Sequence, residues 1–141
     1  MGNRAVITAS ELRTSGLGIY VHWSGGIESV VAFLDVASQL KYRSPDTDDT
    51  YGMAKLCALI SLYAGIRSET GVGINDISKL DCDNYDNGVY VIGEEWQIID
   101  RWGHGSKPFK REDVEAARSS HLYFQTVDAL ILALQNADPN S

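Results

Sequence analysis

The sequence predicts an α+β domain with a small, mostly antiparallel sheet, and three observations carry that prediction. Two helical periodicities follow one another directly between residues 27 and 64. Short β-like segments lie before and after them instead of alternating with single helices. The best-defined pair of segments, 88–92 and 96–102, reads as a hairpin and so runs antiparallel. A doubly wound parallel sheet would need strand and helix in regular alternation. The expected strands lie near 4–8, 18–23, 70–74, 88–92 and 96–102, and the expected helices near 27–41, 50–64 and 120–136.

Each element has its own local reason. Arg4–Thr8 is short and rich in β-formers. Over Gly18–Trp23, Ile19, Val21 and Trp23 alternate with Tyr20 and His22, the period of a half-buried strand. Ser24-Gly25-Gly26 breaks the strand, and Ile27, Val30, Val31, Leu34, Ala37 and Leu40 then recur at three- and four-residue steps. Glu28 suits the positive end of that helix. The polar stretch 42–50, with Pro45, is a loop, and Asp49 or Thr50 is the expected cap of the next helix. Its stripe is Met53, Leu56, Cys57, Leu59, Ile60 and Tyr63, closed by Gly65. Gly71 and Gly73 weaken the strand at 70–74. Gly93-Glu94-Glu95 connects the hairpin arms, the second of which places Trp96, Ile98, Asp100 and Trp102 on one face. Glu112–Arg118 allows one or two helical turns, and Ser119 or Ser120 caps a last helix through Val127, Leu130, Ile131 and Leu134.

With 141 residues, 44% hydrophobic and 22% charged, the chain suits one domain spanning 1–141 with a core that needs no staples. No apolar run approaches the length of a membrane span, so a soluble, cytoplasmic protein is expected. Cys57 and Cys82 read as free thiols of a reducing compartment. The net charge of −7 disfavours non-specific nucleic-acid binding.

Four places invite a functional reading. Asp81-Cys82-Asp83-Asn84-Tyr85-Asp86-Asn87-Gly88 gathers carboxylates and amides, and Asp83, Asn87, Gly88 and Glu94 match four positions of a calcium loop. Tyr85 then falls on a ligand position and a strand follows in place of a helix, so a turn aiming the hairpin is preferred and no metal is assigned. Ser24-Gly25-Gly26 resembles an anion-holding strand-to-helix junction but lacks the lysine and further glycines of the phosphate motifs, and reads first as a plain turn. His22 is a conceivable general base for Cys82 or a water, yet acidic neighbours would raise the thiol pKa, and no catalytic residue is assigned. The preferred site is the loop after the hairpin. Trp102, His104, Lys107, Phe109, Lys110 and Arg111 combine the basic patch of an acidic chain with rigid aromatic groups, a mixture suited to binding.

Two blocks also carry a resemblance. Gly2-Asn3-Arg4-Ala5-Val6-Ile7-Thr8, Ile19-Tyr20-Val21-His22-Trp23 and Gly25-Gly26 form the first. Leu80-Asp81-Cys82-Asp83-Asn84 with Asp86-Asn87-Gly88-Val89-Tyr90-Val91-Ile92 forms the second. Both resemble small uncharacterised proteins of bacteriophages and mobile elements from gut and Gram-positive bacteria. That resemblance implies a setting, the bacterial host cell, and no catalytic residue or cofactor. The expected function is a non-enzymatic accessory protein that acts by binding. It would inhibit a host-defence factor such as a CRISPR effector, or sequester a nucleotide immune signal. Its partner would be a host protein or a small nucleotide, with homo-oligomerisation open. The alternative is a small hydrolase built on the Asp81–Asp86 cluster, with or without a metal.

Overall fold

A computed structural model describes residues 2–45, 49–65 and 70–137. Five strands make one sheet in the order β3-β2-β1-β4-β5. They are β1 (Ala5–Thr8), β2 (Leu17–Val21), β3 (Val72–Asp76), β4 (Val89–Ile92) and β5 (Ile98–Trp102). The β1–β2, β2–β3 and β4–β5 pairs are antiparallel, whereas β1 and β4 are parallel, with Val6 opposite Val89. The fold is therefore α+β with a mixed sheet.

Strand alternation sorts the side chains onto two unequal faces. Ala5, Ile7, Ile19, Val21, Tyr90 and Ile92 enter the main core beneath the helices. Val6, Val89 and Val91 point the other way, into a small cluster closed by Ile77 of a 3-10 turn.

Four helices cover the main face: α1 (Ile27–Gln39), α2 (Asp49–Ala64), α3 (Arg111–Arg118) and α4 (His121–Ala137). Helix α1 is the central one. Its residues 29–34, with Val36 and Ala37, are buried, a wider band than the predicted stripe, whereas Leu40 of that stripe caps the helix and is exposed. Of the periodic residues, Val30, Leu34, Leu59, Ile60, Ile98 and Leu130 are buried and Val127 packs partly against them, whereas Ile131 of the last stripe is exposed. Gly65 adopts φ +91° and stops α2, while Ser120 Oγ accepts the Tyr123 N–H and caps α4. The 46–48 part of the predicted loop, the side chain of Asp49 and Pro139 lie outside the described residues.

One element extends an expectation and another departs from it. The one or two turns allowed over Glu112–Arg118 form a separate fourth helix, α3, although only Val114 and Ala117 of its eight residues are buried. Acidic Glu112 and Asp113 at its start and Arg118 at its end complement the helix dipole, which an apolar period does not register. In the hairpin, Trp96 belongs to a 3-10 turn, not to the strand. The register then shifts so that Ile92 faces Ile98 and Val91 faces Asp100. This bulge turns Ile98 into the main core and Trp102 onto the opposite cluster, so the two do not share a face.

Candidate functional site

The turn after β2 is pressed against the start of β1. A Cβ on Gly25 would stand 2.5 Å from the Asn3 carbonyl and 2.8 Å from Ala5 Cβ, so no larger residue fits. The Gly25 N–H donates to the Asn3 carbonyl at 2.8 Å, and the Tyr90 hydroxyl donates to the Gly25 carbonyl at 2.8 Å. Burial raises the Tyr90 phenol well above its ordinary pKa, so it remains a donor. Gly26 is the N-cap of α1 and has no side chain with which to cap it. Gly26 thus gives the first-turn amides of α1 no side-chain cap, and the carboxylate at the positive end of the helix dipole is that of Glu28, in the same turn.

That end opens onto a cleft of about 480 Å3. Asn3 and the Asp86–Asn87 turn line one side, Arg101, Gly105 and Lys107 another, and α3 with Ser120 closes it. Buried Asn84 builds the turn. Its Oδ1 accepts the N–H groups of Asp86, Asn87 and Gly88, and its Nδ2 donates to the Asp81 and Gly88 carbonyls. Asn87 Nδ2 donates to Asn3 Oδ1 and the Arg4 carbonyl, tying the turn to the N-terminal strand. Arg4 donates to Asp86 Oδ2 through both its backbone N–H, at 3.0 Å, and its Nε, at 2.8 Å. These bonds hold the Asp86 carboxyl below the ordinary carboxylate range.

Arg101 rises from β5 opposite Tyr90. Its guanidinium lies 4.3 Å from the centre of the Tyr90 ring, and Nη2 donates to the Asn87 carbonyl at 2.9 Å. Its Nε is buried with no hydrogen-bond partner. Lys107 is exposed and makes no ion pair among the described residues. Glu28 and Asp113 add carboxylates to the same walls. The cleft therefore brings two cations, Arg101 and Lys107, and the start of α1 together with three carboxylates, Glu28, Asp86 and Asp113, of which Asp86 is paired with Arg4.

The six residues predicted for binding are not gathered at one point. Lys107 lines the cleft. Lys110 and Arg111 are exposed where α3 begins, and Phe109 packs on the main core. Trp102 lies against the smaller cluster, with the Arg13 guanidinium 5.5 Å from its ring centre. His104 stacks on Tyr85 and pairs through Nδ1 with Asp83 at 2.9 Å.

The acidic segment is a turn whose carboxylates face different partners. Asp81 lies 3.6 Å from Arg4, Asp83 accepts from His104, and Asp86 accepts from Arg4. Among the described residues, no three His, Cys, Asp or Glu side chains are grouped to hold a metal. Cys82 Sγ donates to the Ile77 carbonyl at 3.4 Å, whereas His22 Nδ1 pairs with the Tyr20 hydroxyl at 2.9 Å. Burial first, then Asp83 and Asp81, raises the Cys82 pKa, the direction expected from its neighbours.

Asn3, Glu28 and Asp113 escape a linear reading because three separate segments bring them to Gly26 and Arg101. Arg101 left one trace in the sequence, as the first cation of the basic stretch that continues through Lys107, Lys110 and Arg111. Comparison of the chain with protein-family models, with curated proteins and with solved structures finds no match.

Proposed function

We propose that this chain binds and sequesters a small phosphate-bearing ligand of the nucleotide class without turning it over. In the phage or mobile-element setting that the sequence suggests, it would withdraw a nucleotide signal from a host defence. The observation that carries this reading is the uncapped N-terminus of α1, which opens onto the same cleft as Arg101 and Lys107. Helix amides and cations together favour a phosphate. Glu28 and Asp113 suit a ribose diol, as acidic residues do in dinucleotide sites. The cleft volume lies within the range of small-ligand sites. A nucleophile paired with a base, the arrangement that covalent turnover uses, does not line it.

Calorimetric titration with purine and pyrimidine nucleotides tests the reading, with chromatography of the ligand afterwards. Binding that returns the ligand unchanged is expected. Lys107→Ala should weaken it and flatten its salt dependence. Gly26→Asp is the sharper variant, because its carboxylate would cap α1 and compete with the ligand for the same amides. It should keep or raise the melting temperature while lowering affinity. Nucleotide affinity unchanged in both variants, or a chemically altered ligand, would reject the reading.

Self-association through α4 belongs to the same proposal. A helix apolar on all sides is ordinarily covered on all sides. Helix α4 carries one charged residue, Asp128, yet Leu122, Phe124, Ile131 and Leu132 are exposed.

A further inference from the structure

Three hollows on this protein share residues end to end. Asp86 lines both the cleft and a smaller hollow with Gly2, Arg4 and His22. His22 in turn lines an open hollow of about 750 Å3 with Tyr20, Trp23, Gly71 and Gly73. The last of these is aromatic where the first is polar. The His22 and Trp23 rings meet edge to face with centroids 4.7 Å apart, and Tyr20 lies 6.2 Å from His22 at a tilt. Trp23 is 52% exposed, although it follows directly on a buried strand. The Tyr20 hydroxyl holds His22 Nδ1, which fixes the ring that abuts Trp23.

The floor of this hollow is edge strand β3, and Gly73 leaves it open. Gly73 pairs with Tyr20 in register, and a Cβ built on it meets no atom within 4 Å. A strand interior ordinarily disfavours glycine unless something must approach the backbone closely. The exposed Trp23 ring, braced by half-buried His22 and Tyr20 over a bare strand, makes a platform for a flat ring, because every nucleobase presents a π-face.

We propose that the Tyr20–His22–Trp23 shelf is the base subsite for the ligand whose phosphate occupies the α1 cleft. This rests on the reading of that cleft as a phosphate site. The ligand class narrows accordingly: a nucleotide extended enough to reach from Gly26 and Lys107, past the Arg4–Asp86 pair, to Trp23. A sugar phosphate without a base uses one end of the surface and a nucleotide uses both.

Titration of adenosine monophosphate and of ribose 5-phosphate separates the two ends, since these probes differ only in the base. In the unaltered protein, the nucleotide should bind more tightly and quench Trp23 fluorescence. Trp23→Ala should lose about 5- to 150-fold of nucleotide affinity, the range for one base–aromatic stack, and leave ribose 5-phosphate unchanged. Gly73→Val fills the hollow with a strand-favouring side chain and should do the same, which covers any fault in folding of the tryptophan variant. Equal affinity for the two probes, or nucleotide binding unaffected in both variants, overturns the shelf while the cleft stands. No binding of either probe to the unaltered protein overturns the cleft reading, and the shelf falls with it.

Discussion

Asn84 is 1% exposed and uses its amide on both sides of one turn, satisfying three backbone N–H groups and two carbonyls. Asn84→Ala strands those groups in a buried place and should cost at least about 2 kcal/mol. Urea denaturation should show the lower midpoint with an unchanged slope. The charged neighbours act differently, through pH. Asp76, Asp83 and Asp86 all have pKa values lowered from 3.8, by Ser78 and Gly16, by His104 and by Arg4 respectively. A carboxylate depressed in the folded state stabilises the fold fully above its unfolded pKa and loses that contribution as the pH falls through the folded value. The melting temperature should therefore drop in acid below about pH 4, and Asp86→Asn should make that drop shallower. At alkaline pH the sign reverses. Burial and then the hydrogen bond to Asp35 push the Tyr123 phenol up to about 12 from 10.0. Stability should fall above pH 10, and Tyr123→Phe should blunt the loss.

The helices and the hairpin were legible to different degrees. The helix α1 stripe named Val30, Val31, Leu34 and Ala37 of its buried side, though not the exposed Leu40, because a period of 3.6 survives over thirteen residues, and truncating Leu34, which is 2% exposed, to alanine should cost about 2–5 kcal/mol in thermal unfolding. The hairpin was found, but its faces were not. A bulge changes the side of every residue beyond it, and nothing in alternating sequence marks where it falls. The connection before it is strained as well, since Glu95 and Trp96 of the 3-10 turn both have positive φ, 55° and 62°. Glu95→Gly relieves one such residue and should be neutral or stabilising by up to about 1 kcal/mol. The candidate site was the least legible part. The loop holding Lys107 was flagged by its charge, whereas Gly26 and Arg101 become partners only when β1, β5 and α1 converge.

At the scale of the whole molecule, the sheet has helices on one face and only a small apolar cluster on the other. Among the described residues, no helix is long and apolar enough to cross a membrane. Uncovered apolar side chains then concentrate on α4, whose polar clamp lies on its inner side. Arg118 donates to both Asp35 oxygens, at 2.9 and 2.8 Å, and the Tyr123 hydroxyl donates to Asp35 Oδ2 at 2.6 Å. That clamp fixes α4 against α1 and α3 while its outer residues stay exposed. Light scattering should report a mass above that of one chain, and Leu132→Lys should return it to one chain without altering the far-ultraviolet circular dichroism. A monomer before any substitution would remove the self-association proposal.

The place of β1 has a consequence for how the chain reaches this state. It is made before the other four strands of the sheet, yet it lies at the centre, and its parallel neighbour β4 follows more than eighty positions later. During synthesis, the hairpin of β1 and β2 can close at once, but one edge of β1 stays open until β4 has emerged. The clasp of Arg4 and Asn3 to Asp86 and Asn87 closes over the same long interval. Pairing of that sequence separation slows folding, because loop closure is met before the contacts that reward it. The rate-limiting step should therefore be the docking of β4 on β1. Shortened nascent chains ending before Val89 should remain sensitive to protease, whereas chains released beyond Trp102 should gain protection at the N-terminal strand first.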